Sequence, residues 1–368
     1  MEPWVTKVLE LALAVQQIPA PTFHEARRAA FVRARWEEEG APVTTDEVGN
    51  VYARLPGKGE APPVIVVAHL DTVFPLDADL TVRQEGSRWY GPGLGDNSLG
   101  VAALFGLYWR LRAQPPLPGD VWLVADVGEE GLGNLRGMRA VMARFGGQVT
   151  AYVILEGLGL GQVYHRALGV RRFRIRLRTA GGHAWSDQGA PSAVHEAARL
   201  VTRLTALPLP SAPRTALNVG RLVGGVSVNT IAPEAWLEVD LRSEDPQVLA
   251  RWASQVERLA HRHAREGVAV EVEAVGYRPA GALPATHPLV QAAERALQAQ
   301  GVSPVRVVGS TDANLPLSRG YPAVGLGLTL GGGAHTLEEY IEIPPLAQGL
   351  RAALQLVRTV WTPWGGPS

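Results

Sequence analysis

Three short apolar runs in this chain each end in a carboxylate or an imidazole, and no other feature limits the fold as much. Val64 to Ala68 leads into His69-Leu70-Asp71-Thr72, Val121 to Val127 into Gly128-Glu129-Glu130, and Tyr152 to Leu155 into Glu156. Runs of this length, without polar alternation, read as strands covered on both faces, the pattern of a mainly parallel, helix-covered sheet. In such sheets ligands gather just beyond the carboxyl ends of the strands. Asp96 and His335 stand in glycine-flanked loops. Acids and imidazoles collected at one sheet edge repel or waste burial unless a cation neutralises them. The pattern therefore implies a metal-dependent hydrolase.

Composition sets the outer bounds. With 368 residues, the chain exceeds the roughly 100 to 200 residues of one domain, so two domains are expected. Lys plus Arg and Asp plus Glu are equal at 35 each, which argues against a nucleic-acid or membrane-surface partner. There is no cysteine, which removes disulfides, thiolate metal sites and cysteine nucleophiles. The start, Met1-Glu2-Pro3-Trp4, lacks the basic-then-apolar form of a signal peptide. No apolar run approaches the roughly 20 residues that span a bilayer. A soluble, cytoplasmic protein is expected.

Along the chain, helical spacing runs from Trp4 to Gln17, and Thr22 with Glu25 has the form of a capping box opening a helix to Gly40. Val43 to Leu55 reads as two short strands, Thr81 to Tyr90 as a hairpin, and Ser98 to Arg112 as a helix of small and apolar residues. After about His165 the style changes. Arg171 to Arg178 alternates arginine with Phe173, Ile175 and Leu177, the period of a half-exposed strand. A helix (191–204), two alternating strands (215–223 and 235–241), a second helix (247–265) and a last strand (268–275) complete the split βαβ order of a ferredoxin-like sandwich. The α/β style resumes after a linker at Pro279 to Pro284. The expected architecture is thus an α/β catalytic domain, residues 1–165 and 283–368, interrupted by a ferredoxin-like α+β domain, residues 166–282.

Six segments occur in a fixed order: His69-Leu70-Asp71-Thr72, Gly95-Asp96-Asn97, Gly128-Glu129-Glu130-Gly131, Leu155-Glu156-Gly157, Gly181-Gly182-His183 and His335-Thr336-Leu337-Glu338-Glu339-Tyr340. Together they resemble the M20 family of co-catalytic zinc peptidases and deacylases, which includes carboxypeptidase G2-like enzymes, aminoacylases and peptidase T. The resemblance covers nearly the whole chain.

It implies two zinc ions, with cobalt or manganese also compatible with mixed nitrogen and oxygen ligands. His69 and Glu156 would hold one, Glu130 and His335 the other, and Asp96 would bridge them. Asp71 would hold the second ring nitrogen of His69. Glu129 would be the general base, and His183 would polarise the scissile carbonyl, arriving from the partner subunit in dimeric members. Asn229 would add a donor, and Arg242 would grip a substrate carboxylate with its planar fork. Many family members carry Asp where Asn97 follows the bridging residue. Aminopeptidase and tripeptidase branches tend to carry Asp at the place of Glu156, and carboxypeptidase and deacylase branches Glu. The expected reaction is therefore amide hydrolysis in a small peptide or N-acyl amino acid with a free carboxylate, by a homodimer. The alternatives are an aminopeptidase or di/tripeptidase and, further off, a binding protein on the same fold.

Other features carry less. Gly157-Leu158-Gly159-Leu160-Gly161 follows a strand like a dinucleotide loop, but Gln162 stands where the fingerprint needs glycine. His24, His195, His261, His263 and His287 are expected to be solvated, and His165 lies close after a core strand. Gly309-Ser310-Thr311-Asp312 reads either as a substrate loop or as a helix cap, and Trp185 as a candidate pocket wall.

Overall fold

The computed structural model describes residues 2–362. The chain divides into two compact units, residues 1–167 with 282–368 and residues 168–281.

The first unit is built on a mixed sheet. Its strands run in the order Val43–Thr45, Val51–Leu55, Val121–Asp126, Val64–His69, Ala151–Leu158, Ala323–Thr329 and Gln162–Ala167, with Val305–Gly309 beside the last. The middle four are mutually parallel. They are also the most apolar: Val64–His69 and Ala323–Thr329 are buried along their whole length. Helices cover them. Leu99–Arg112 is buried on nearly every side from Leu99 to Leu111, which suits its lack of a polar stripe. The first helix, Pro3–Gln16, starts with proline at a position that needs no N–H donor. Trp36 of Ala26–Glu38 stacks on Phe105 at 3.6 Å between ring centroids. The expected hairpin forms from Arg83–Glu85 and Arg88–Tyr90.

One local expectation is corrected. Thr22 and Glu25 form no capping box: Glu25 has helical backbone at the helix entrance and supplies no side-chain cap. Its carboxylate instead accepts from Phe23 N at 3.0 Å and pairs with Arg136 at 2.7 Å. The Thr22 hydroxyl donates to the buried carboxylate of Asp71 at 2.8 Å. A buried charge needing donors outcompetes a local cap.

The second unit is a four-stranded antiparallel sheet ordered Thr215–Gly224, Glu234–Ser243, Gly169–Arg178, Ala269–Arg278. With the helices Ala193–Thr205 and Pro246–His261 the chain order is strand, helix, strand, strand, helix, strand, as the alternation predicted. Phe173, Ile175 and Leu177 pack into its core with Leu200 and Val256. The arginines between them face a row of acids: Arg172 meets Asp240 at 2.9 Å and Arg174 meets Glu238 at 2.8 Å, each directly across the ladder. Asp245 caps the second helix by accepting from Gln247 N and Val248 N, and Pro246 follows it.

Two histidines expected to be solvated are not. His263 is buried, with Nε2 2.9 Å from Glu196, and His287 caps the helix Pro288–Gln298 by accepting from Leu289 N. His24, His195 and His261 are exposed. His165 is buried against the Leu283 carbonyl.

Candidate metal centre

His69 ends its strand with the ring buried. Its Nδ1 lies 3.0 Å from the backbone carbonyl of Asp71 and 3.6 Å from the Asp71 carboxylate. With Nδ1 donating to that carbonyl, Nε2 is the ring nitrogen that faces Asp96 and Glu156 and would serve a metal ion. Asp71 thus meets the second ring nitrogen through its main chain and, at longer range, its carboxylate. The carboxylate has other work. Its two oxygens accept from Glu129 N at 3.0 Å and Glu130 N at 2.9 Å, besides the Thr22 hydroxyl. Asp71 thus clamps the turn that carries both glutamates. That turn is made by Gly128 at φ +69°, a left-handed conformation that favours glycine.

Asp96 lies between two imidazoles. Its Oδ1 is 3.1 Å from His69 Nε2, and its Oδ2 is 3.2 Å from His335 Nε2. His335 Nε2 is also 3.1 Å from Glu130 Oε1, and His69 Nε2 is 3.9 Å from Glu156 Oε2. Donor atoms of His69, Asp96 and Glu156 lie within 4.8 Å of one another, as do those of Asp96, Glu130 and His335. Glu129 joins His69 and Glu130 in a third such group. The five residues expected to hold metal thus form two triads with Asp96 in both, and Glu129 stands beside them.

The electrostatics favour cations. Burial, relieved only in part by His69, pushes Glu156 well above the carboxylate range. Hydrogen bonds donated to Asp96 and Glu130 hold His335 up at about 10, against its partial burial. Burial works to lower His69, but its bonds to Asp71 and Asp96 win and hold it well above the usual imidazole range. Such a mix of buried acids and imidazoles, with nitrogen and oxygen donors converging from separate loops, fits a pair of divalent cations.

His335 differs from the others. Its side chain is 55 % exposed, and its backbone sits at φ +66°, a conformation costing about 1–2 kcal/mol for a non-glycine residue. Four residues on, Glu339, to which sequence reasoning gave no role, fastens the Asp96 loop. Glu339 is fully buried and accepts from Gly93 N (3.1 Å), Gly95 N (2.7 Å) and Asp96 N (2.9 Å). Burial raises it to about 7 despite these bonds. It does for the Asp96 loop what Asp71 does for the glutamate turn.

Two further supports were not evident from the sequence. Arg28, wholly buried, donates to the Leu70 carbonyl at 2.8 Å and braces the backbone between His69 and Asp71. Asn97, buried, donates to the Leu155 carbonyl and accepts from Gly157 N, which ties the Asp96 loop to the Glu156 strand. That contact explains Gly157 better than a nucleotide loop does: a Cβ there would meet the Gly95 carbonyl at 1.9 Å.

His183, Asn229 and Arg242 belong to the second unit. His183 and Asn229 are neighbours: Gly182–His183 pairs with Thr230–Ile231, and Ala184 N donates to the Asn229 carbonyl at 3.0 Å. The His183 Nδ1 accepts from Trp185 N (3.3 Å) and Ser186 N (3.4 Å), so a neutral ring carries its proton on Nε2. Both residues are exposed, as is Trp185 at 85 %. Arg242 is engaged by Asp240, with Nε 2.6 Å from Oδ1. In the segment Gly309-Ser310-Thr311-Asp312, Thr311 Oγ1 accepts from Ala313 N and Asn314 Oδ1 accepts from Thr311 N. This is a local brace ahead of the short helix Asn314–Ser318.

Comparison with known proteins gives the family. A probable carboxypeptidase of Aspergillus clavatus is 31 % identical over 255 residues, which is 60 % of this chain and 54 % of that one. A tripeptidase from Staphylococcus aureus superposes with TM-score 0.82 at 22 % identity, covering 97 % of this chain and 98 % of that one. The Bacillus subtilis YXEP protein, a dinuclear metal binding peptidase from the M20 family, does so with TM-score 0.68 at 19 % identity, covering 97 % and 98 %. The profile of peptidase family M20/M25/M40 matches residues 65–359, most of the chain and both units. The chain is therefore a member of peptidase family M20/M25/M40, a hydrolytic enzyme.

Proposed function

We propose that this protein hydrolyses the amide bond of a small peptide or N-acyl amino acid that carries a free C-terminal carboxylate, using two zinc ions. The observation that carries the reading is the pair of Asp96 oxygens facing His69 and His335. His69, Asp96 and Glu156 would hold one ion and Asp96, Glu130 and His335 the other. When bound, such a pair polarises the amide carbonyl and acidifies water. Glu129, grouped with His69 and Glu130, takes the proton released from water and returns it to the departing amine. Asp71 and Glu339 keep the ligand-bearing loops in register. His183, with its proton on Nε2, and Asn229 are the donors for the developing oxyanion. Arg242 is the partner for the substrate carboxylate, and its pairing with Asp240 fixes the plane of its fork.

Glutamate rather than aspartate at position 156, together with the carboxypeptidase relative, favours the free-carboxylate substrate. The similarity to a tripeptidase supports a second reading, an exopeptidase that takes a free amino end. Turnover of matched dipeptides blocked at one end or the other by the zinc-loaded protein separates the two. Loss of turnover on amidation of the C-terminus is expected, and loss on N-acetylation alone would select the second reading. A cytoplasmic homodimer completes the proposal. No helix among the described residues is long and apolar enough to cross a membrane. The edge strand Thr215–Gly224 leaves Leu222 and Val223 exposed for a second copy.

A further inference from the structure

A cavity of about 620 Å³ opens beside His335 in the first unit. Val73, Phe74 and Pro75 form one wall, and Thr336 and Leu337 form another. Each wall is the direct continuation of a candidate metal-ligand segment: Val73 follows His69-Leu70-Asp71-Thr72, and Leu337 follows His335-Thr336. The cavity therefore adjoins the place where a scissile carbonyl would be held, and its size suits a small-molecule site.

Its lining combines two properties that folding alone does not require. Val73 and Leu337 are large aliphatic side chains left 41 % and 59 % exposed, although the unit buries an extensive core. Exposed aliphatic side chains lining a cavity beside polar ligands offer a place where an apolar ligand group gains by burial. The charged groups on the lining, apart from His335, are Asp77 and Asp79, with no lysine or arginine among them. Asp79 is fixed by accepting from Thr81 N at 2.9 Å. The rim is thus negative and the walls are greasy.

We propose that this cavity, resting on the hydrolase reading above, is the subsite for the side chain on the acyl side of the scissile amide, and that it selects an aliphatic or aromatic group and rejects a carboxylate. The acyl side is assigned because its side chain branches from the atom next to the attacked carbonyl, the substrate group nearest a wall that begins at His335. A cationic end on an apolar stem is accommodated, since Asp77 and Asp79 meet it.

The test is a series of N-acetyl-Xaa-Ala substrates, with Xaa Leu, Phe, Lys, Gly or Glu, assayed for kcat/KM with the zinc-loaded full chain. Calorimetric binding of N-acetyl-Leu-Ala against N-acetyl-Gly-Ala to the zinc-loaded Glu129→Gln protein provides a second readout. Leu and Phe are expected to exceed Gly by roughly 20-fold or more, within the range that small apolar differences reach. Lys should exceed Gly, and Glu should fall below it. Leu337→Ala and Val73→Ala should each cut the Leu-to-Gly ratio by about fivefold or more, in both turnover and binding. Asp77→Asn should raise the Glu-to-Gly ratio. Melting temperatures check that these surface variants fold. Ratios unchanged in both aliphatic variants overturn the subsite while leaving the hydrolase intact. Absence of turnover on every one of these N-blocked substrates defeats the free-carboxylate reading on which the subsite rests and selects the exopeptidase that takes a free amino end.

Discussion

The candidate metal centre and the His183–Asn229 tip of the second unit are built in opposite ways. Around the metal centre, His69, Glu129 and Glu130 are buried. The loops that carry them and Asp96 are fastened by carboxylates, Asp71 to Glu129 N and Glu130 N, and Glu339 to the N–H groups of Gly93, Gly95 and Asp96. At the tip, His183 and Asn229 are exposed and fastened mainly by short-range backbone contacts. Preorganisation is thus concentrated where like charges must be held together, since buried carboxylates drift apart unless the backbone fixes them. Donors that only meet a developing charge can stand in water until substrate arrives.

The largest expected effect separates chemistry from metal holding. Glu129→Gln should reduce kcat by about 100- to 10,000-fold, the range for a general acid–base group, with zinc content unchanged by elemental analysis. A variant near wild-type rate removes Glu129 from proton transfer. His183→Ala tests the other region and should lower kcat by about 100-fold or more with metal content again intact. An unaltered kcat would leave the tip without a part in the reaction.

Glu339→Ala sharpens the comparison from the metal side. Loss of the clamp under the Asp96 loop should weaken zinc binding by about 10- to 100-fold, read by competition with a chelating dye. Glu339→Gln, which keeps one acceptor oxygen, should recover part of that loss.

The smallest expected effect concerns the second unit alone, whose buried Glu196 is gripped by Arg265 through both nitrogens at 2.7 Å. Arg265 first, with Arg199 and His263, holds Glu196 at about 2, below its ordinary 4.5. The folded state therefore binds fewer protons than the unfolded one between these values, and stability is lost as pH falls from about 4.5 to about 2. Acid titration of Glu196→Gln should show a flatter fall in stability over that window than wild type shows.

Much of this was legible from sequence because of its physics. Parallel strands buried on both faces have to be apolar throughout, so Val64 to Ala68 and Val121 to Val127 announce themselves, and the acids that end them stand out. The alternation at Arg171 to Arg178 likewise marks one wet face. What escaped were side chains whose partners lie far away in the chain. Thr22 resembles a cap and serves Asp71, 49 positions on. Arg28 resembles one more helical arginine and lies buried beneath Leu70. Glu339 is hidden in an acidic pair beside a metal-type histidine, and only the fold shows that the loop it holds is the one carrying Asp96. His263 could not be told from its exposed neighbours because its partner, Glu196, lies 67 positions earlier, on the helix Ala193–Thr205.

The central claim is that Asp96 is shared by two cations, and metal stoichiometry tests it most directly. Zinc titration of the metal-free protein, followed by elemental analysis after desalting, should give two ions per chain for wild type. Asp96→Ala should leave neither tightly bound, because each triad loses a ligand. A wild-type chain saturating at one ion, or an Asp96→Ala chain that keeps two, would contradict the account.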